Sequence, residues 1–421
     1  MQKRTMLTLA ATLLLLAAAG GQARAMGQQR QTTYRFDFGG AEASAGWTRV
    51  TTATAYSAGR GYGFEPGADG SGSGDDAPRL FSVAVPEGNY AVTVTLGDAR
   101  DTSDTTVKAE SRRLMLEGVK TAKGEIVRRT FTVNVRTPRL PDGRQVALKE
   151  REKGVLHWDD KLTLEFNGPR PHVRAVEIAP APDAVTVFLA GDSTVTDQPR
   201  EPWNSWGQML TRFFGPGVAV ANHAESGESL KSFEGQRRTA KVLSAIKPGD
   251  YLLIQFGHND MKEKGEGVGA FTTYAASLKR LVDAARERGA HPVLVTPMHR
   301  RRFDEAGKVQ DSLGDYPEAV RRVAKAEKLP LIDLHAMSRL FYEALGPEKS
   351  ALAFQDGTHH NAYGSYVLAR CVAEGIRASV PGLAKHLAAD LPPFDPARPP
   401  APESFSVPAS PQRSDVKPDG S

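Results

Sequence analysis

Phe188-Leu189-Ala190-Gly191-Asp192-Ser193 is the stretch on which the reading of this chain turns. A buried apolar strand ends abruptly in a small polar turn, and a helical pattern follows from Trp203 to Phe214. The rhythm then repeats. Strands are expected at Thr186 to Ala190, Val218 to Asn222, Tyr251 to Phe256, Pro292 to Thr296 and Leu331 to Leu334. Between and after them lie helical patterns at Arg237 to Ala245, Tyr274 to Glu287, Tyr316 to Glu327 and Ala362 to Ala378. Such alternation implies an α/β domain, here residues 185–388, with a parallel sheet covered by helices on both faces.

Upstream the pattern changes. Residues 32–180 carry short alternating runs, among them Tyr34 to Phe38, Leu80 to Val85, Asn89 to Leu96, Arg129 to Val135, Leu162 to Phe166 and Val173 to Ile178. Turn residues separate these runs, which predicts an all-β sandwich of jelly-roll type. Gly67 to Gly74 reads as a surface loop, and Ala179-Pro180-Ala181-Pro182 as the linker between domains. Residues 390–421, rich in Pro, Ser and Ala, are expected to form a disordered tail. At the other end, Lys3 and Arg4 precede an apolar run to Ala19, and Ala23-Arg24-Ala25 has the pattern of a signal peptidase site. Residues 1–25 therefore read as a signal peptide cleaved after Ala25, with the product periplasmic or secreted and not held in the membrane.

Composition narrows the possibilities further. The 421 residues are 40% hydrophobic and 24% charged, as in soluble globular proteins. The export segment carries Lys3, Arg4 and Arg24 and no acid, so of 54 basic residues 51 remain against 49 acidic ones. The basic residues are dispersed among acids, which argues against a nucleic-acid partner. The one cysteine, Cys371, lies in a helical pattern and reads as a small buried hydrophobe. No internal disulfide, thiol nucleophile or cysteine metal site is available. The sequence sets no oligomeric state.

In open parallel sheets, functional groups gather beyond the carboxyl ends of the strands. Gly191-Asp192-Ser193, Glu225-Ser226-Gly227-Glu228 and Gly257-His258-Asn259-Asp260 follow the first three strands, and Asp356-Gly357-Thr358-His359-His360 comes after the fifth. Gly-Asp-Ser alone is a common turn, and Asp356 alone is a helix cap. Together they supply a nucleophile (Ser193), a base (His359) and a carboxylate to orient it (Asp356). Oxyanion donors are available in the Ser193 N–H, the Gly227 N–H and the Asn259 amide. The adjacent His359 and His360 diverge and lack a second ligand cluster, so no metal and no cofactor are expected.

These four blocks resemble the SGNH (GDSL-type) hydrolases, and within them the rhamnogalacturonan acetylesterase branch, as do Thr296-Pro297 and Arg301-Arg302-Phe303. The resemblance implies a flavodoxin-like three-layer α/β/α fold, the triad and oxyanion hole just named, and deacetylation of pectin. Tyr34 to Gly40 and Gly61 to Phe64 resemble a galactose-binding-like sandwich. The expected activity is removal of O-acetyl groups from an acetylated polysaccharide or oligosaccharide. Arg301, Arg302 and His258 are candidate substrate contacts, the arginines for a uronate carboxylate. Two alternatives stay open: a GDSL-type lipase, thioesterase or other acyl hydrolase, and a non-catalytic carbohydrate-binding protein.

Overall fold

The computed structural model describes residues 32–39, 44–65 and 79–420, which places the expected signal peptide and the Gly67 to Gly74 loop outside the described residues. In the catalytic half, five parallel strands lie in the order Val218–Asn222, Val185–Gly191, Tyr251–Gln255, His291–Val295, Leu331–Ile332. That is the flavodoxin-like order, in which the chain reverses direction beside the first strand and opens a crevice there. Alternation along that strand feeds two cores. Val187 and Leu189 pack with the helices Trp206–Leu210, Leu334–Lys349 and Ala362–Ser379 on one face. Phe188 and Ala190 pack with Leu230–Gly235, Arg238–Ala245, Ala275–Glu287 and Tyr316–Ala326 on the other.

The fifth strand is shorter than its apolar run suggests, because Asp333 caps the helix that starts at Leu334, its carboxylate accepting the Ala336 N–H at 3.2 Å. At the first strand, Gly191 cannot be replaced without displacement. A Cβ there would come within 2.5 Å of Val195 Cγ2 and 2.8 Å of the Gln255 carbonyl.

The front domain has two five-stranded sheets. One runs Thr48–Arg49, Tyr34–Asp37, Val173–Pro180, Gly88–Leu96, Val127–Val135, and the other Tyr62–Phe64, Arg79–Ala84, Lys161–Arg170, Ser103–Ala109, Arg113–Thr121. Tyr90, Val92, Val94 and Leu96 point inward from one strand at period two. The aromatic residues of the two galactose-binding-like motifs belong to this core: Phe36, Phe38 and Phe64 each pack edge-on or tilted against Phe81 or a neighbour at 5.0–5.5 Å.

The two domains are joined by much more than their linker. Arg113 Nε lies 2.7 Å from Asp197 Oδ2, and Arg112 Nη2 lies 2.5 Å from Glu201 Oε1, all four side chains buried. Leu114 belongs to a core of the catalytic domain. Charges removed from water in this way are tolerated only when paired.

Residues 390–420 differ from the disorder expected of their composition. Phe405 packs on Tyr363 and Tyr366, and Phe394 sits under Arg370. Lys108 Nζ donates to the Pro408 carbonyl at 2.7 Å, Asn167 to the Ala409 carbonyl at 2.8 Å, and the Ser410 N–H to Glu201 at 2.9 Å. Prolines lower the freedom this segment loses, and donors on both domains satisfy its carbonyls, so a large core of its own is not required.

Candidate active site

Ser193 stands at the end of the central strand, with 1% of its surface exposed. Its Oγ lies 2.8 Å from His359 Nε2, and His359 Nδ1 lies 2.9 Å from Asp356 Oδ2. The other Asp356 oxygen accepts the Thr358 and His359 N–H groups, each at 2.7 Å. Burial alone would raise this carboxyl. The His359 ring and the backbone donors outweigh burial and hold it well below the usual carboxylate range. A hydroxyl, an imidazole and an ionised carboxylate thus form one continuous chain, in which the ring can take the serine proton while the carboxylate fixes its orientation. Trp203 meets the His359 ring edge-on at 5.9 Å.

Gly227 has φ +78°, a left-handed conformation that side chains rarely adopt. The Asn259 amide donates to the Glu228 carbonyl at 3.0 Å, which ties these two oxyanion candidates together. Asp192 is fully buried. Thr194 donates to it through both its N–H and its hydroxyl, at 2.9 and 2.7 Å. Although burial acts to raise its carboxyl, His258 and Thr194 hold it low.

The three substrate candidates have different surroundings. His258 is buried, with its ring nitrogens 3.2 Å from Asp192 and 3.0 Å from the Met298 carbonyl, so it braces the strand ends. Arg301 is engaged by the Ser350 hydroxyl and the Pro347 carbonyl, and Arg302 is exposed. Their neighbour Arg300 is the one that reaches the site loops, donating to the His258 carbonyl at 3.2 Å and to Thr358 at 3.3 Å. His360 turns away to Tyr342, 2.8 Å distant, and burial lowers its pKa to about 3. Among the described residues His299, Asp311 and His335 approach one another closely, the two rings 3.7 Å apart and tilted by 33°.

Two contributors carry no sequence signal. Lys149 and Arg151, from the front domain, pair with Glu228 at 2.7 Å and Glu225 at 3.1 Å, on either side of Gly227. The tail meets the same loop. Lys262 donates to the Gly420 carbonyl at 2.8 Å, and a Cβ on Gly420 would lie 2.8 Å from Asn259 Oδ1. A Cβ on Gly227 would lie 2.9 Å from Asp419 Cβ. The end of the described chain therefore lies across the oxyanion candidates.

Residues 189–366 match the model of the GDSL-like lipase/acylhydrolase family, and residues 34–124 that of the beta-agarase/YXIM esterase-like, galactose-binding domain-like family. Rhamnogalacturonan acetylesterase RhgT of Bacillus subtilis (strain 168) is 43% identical over 220 residues, covering 48% of this chain and 94% of that protein. The chain belongs to the GDSL-like lipase/acylhydrolase family. As a GDSL-like acylhydrolase it is a hydrolase of ester bonds, with a galactose-binding-like domain in front. An uncharacterized esterase, YxiM, of the same bacterium is 26% identical over 82% of this chain and 90% of its own length. The crystal structure of that protein superposes with a TM-score of 0.46 at 25% identity, covering 82% of this chain and 98% of the other.

Proposed function

We propose that this GDSL-like hydrolase is an exported carbohydrate O-acetylesterase acting on acetylated pectic rhamnogalacturonan. The observation that carries the chemistry is the unbroken chain Asp356–His359–Ser193. Ser193 Oγ attacks the acetyl carbonyl carbon while its proton passes to His359 Nε2. The oxyanion is held by the Ser193 and Gly227 N–H groups and the Asn259 amide. Collapse of the intermediate breaks the bond to the sugar oxygen, which takes the proton from His359 and leaves as a hydroxyl, with acetyl-Ser193 remaining. Water activated by His359 then releases acetate.

The choice of an acetyl ester of a pectic polysaccharide is supported by RhgT and by a rhamnogalacturonan acetylesterase of Emericella nidulans, 25% identical over 227 residues. Export is supported by the sequence pattern of residues 1–25. Acetate release from acetylated rhamnogalacturonan, xylan and chitin fragments tests the reading, with Ser193→Ala as control. Release from the pectic substrate, abolished by Ser193→Ala, is expected, and a preference for long-chain acyl esters would refute it. Recovery of a mature chain beginning at Met26 outside the cytoplasm tests the export step.

A further inference from the structure

We propose that Lys149, supplied by the front domain, is a positioning residue of the oxyanion hole: its ammonium orients and polarises the peptide unit joining Ser226 to Gly227. The inference rests on Gly227 N–H being an oxyanion donor. In a planar trans amide the carbonyl and the N–H point in opposite directions. Whatever grips the Ser226 carbonyl therefore aims the Gly227 N–H. Lys149 Nζ donates a hydrogen bond to that carbonyl. A peptide preceding a glycine is otherwise the easiest in the loop to rotate, since no Cβ on Gly227 resists it.

The grip is itself built in. Lys149 Nζ is fixed a second time by Glu228 Oε1 at 2.7 Å, a carboxylate with no side-chain exposure. The adjoining front-domain residues hold the rest of the loop. Arg151 pairs with Glu225 at 3.1 Å and donates to Gln198 at 3.0 Å, and Gln198 in turn donates to the Ser193 carbonyl at 3.0 Å. Ala147 N–H donates to the Gln236 carbonyl at 3.0 Å. Glu225, Ser226 and Glu228 are thus all held from the front domain, and Gly227 sits between them.

Because Lys149 is paired with Glu228, its charge is largely cancelled at a distance, and what remains is local. An ammonium on a carbonyl oxygen draws electron density along the amide and strengthens its N–H as a donor. That strengthening matters most when negative charge appears on the substrate oxygen, so it acts on the transition state more than on substrate binding. The front domain is then a working part of the catalytic centre.

The test is hydrolysis of p-nitrophenyl acetate by the full chain carrying Lys149→Met, and by Lys149→Met combined with Glu228→Gln, which removes the buried carboxylate that the first change leaves unpaired. In both, kcat falls about ten- to a hundred-fold with KM nearly unchanged, and the urea midpoint of the double variant stays close to that of the unaltered chain. Lys149→Arg, which keeps a cationic donor, restores most of kcat. Inhibition by trifluoroacetone, whose hemiketal on Ser193 carries an oxyanion, weakens in step with kcat. Undiminished kcat in a folded double variant, or a loss confined to KM, overturns the assignment. If Ser193→Ala removes hydrolysis and Lys149→Met does not impair it, only the role of Lys149 falls; if the unaltered chain hydrolyses no ester, the esterase reading falls with it.

Discussion

Removing Ser414 to Ser421 should lower KM for a polymeric substrate without changing kcat. The described part of this segment, seven residues from Ser414 to Gly420, lies over Gly227 and Asn259, where the ester must enter. Among the hydrogen bonds that hold it are Ser414 N–H to the Glu201 carbonyl at 2.8 Å, Trp203 Nε1 to the Ser414 carbonyl at 3.0 Å, and Lys262 to the Gly420 carbonyl at 2.8 Å. Val416 buries little, with 79% of its surface exposed. A segment with so exposed a residue at its middle is open to displacement by substrate.

A preference of about 1.4 kcal/mol for closure would make the site tenfold less available, and KM would rise by that factor, since only the open fraction binds. The truncated chain should therefore show KM for acetylated oligosaccharide lower by up to about ten-fold. Once substrate saturates the site, the segment is displaced in both chains and kcat is equal. The assay is acetate release across a range of substrate concentrations with matched, folded samples. A fall in kcat on truncation would refute this reasoning, because the segment would then be helping the chemistry. An unchanged KM would refute it as well.

Asp356→Asn should cut kcat by about 10⁴-fold with little change in KM, because the amide no longer holds the ring in its working tautomer; initial rates on an acetyl ester read this directly. Arg113→Ala should destabilise the fold by about 3–5 kcal/mol, since it strips the buried Asp197 of its nearest cation, and urea unfolding measures it. A thermal melt series across pH should show stability declining from about pH 7 to pH 8, above the range in which the buried histidines His157, His223 and His360, all held low, oppose the trend. Burial raises the carboxyl of Glu110 to about 8 and that of Asp260 to about 7, so below those values the folded chain holds protons that the unfolded chain has lost. Their contribution is complete below the unfolded carboxyl range and is lost as pH rises through the folded values. Asp192 and Asp356, held low, act oppositely and remove stability only below about pH 4.

The catalytic half was legible because Ser193, Gly227 and Asn259 each come after an apolar strand, and strand periodicity survives in the sequence. Ser193, Gly227, Asn259, Asp356 and His359 all lie where that reading puts them, around one end of the sheet. The strands Ser103–Ala109 and Arg113–Thr121 were not legible. Their buried faces carry Lys108 and Arg113, whose partners Glu165 and Asp197 are far off in the chain, so burial of charge hid the alternation. The same cause hid Lys149. A lysine in a loop has no local signature of the carbonyl it will meet 77 residues later. In the run Arg300 to Arg302, composition pointed to a cationic patch but could not say which guanidinium turns inward, because adjacent side chains diverge.

The arginines that cross between the domains also bear on how such a protein can be recombined. Modules strung on an exposed linker are readily exchanged. A cut near Asp183 in this chain would leave Asp197 and Glu201 inside the catalytic half without Arg113 and Arg112. RhgT matches 48% of this chain with 94% of its own length, so a catalytic unit of this kind also exists without a comparable partner. Gaining or losing the front domain would then require new counter-ions for those two acids in the same step, and inheritance of the pair as one piece is the simpler course.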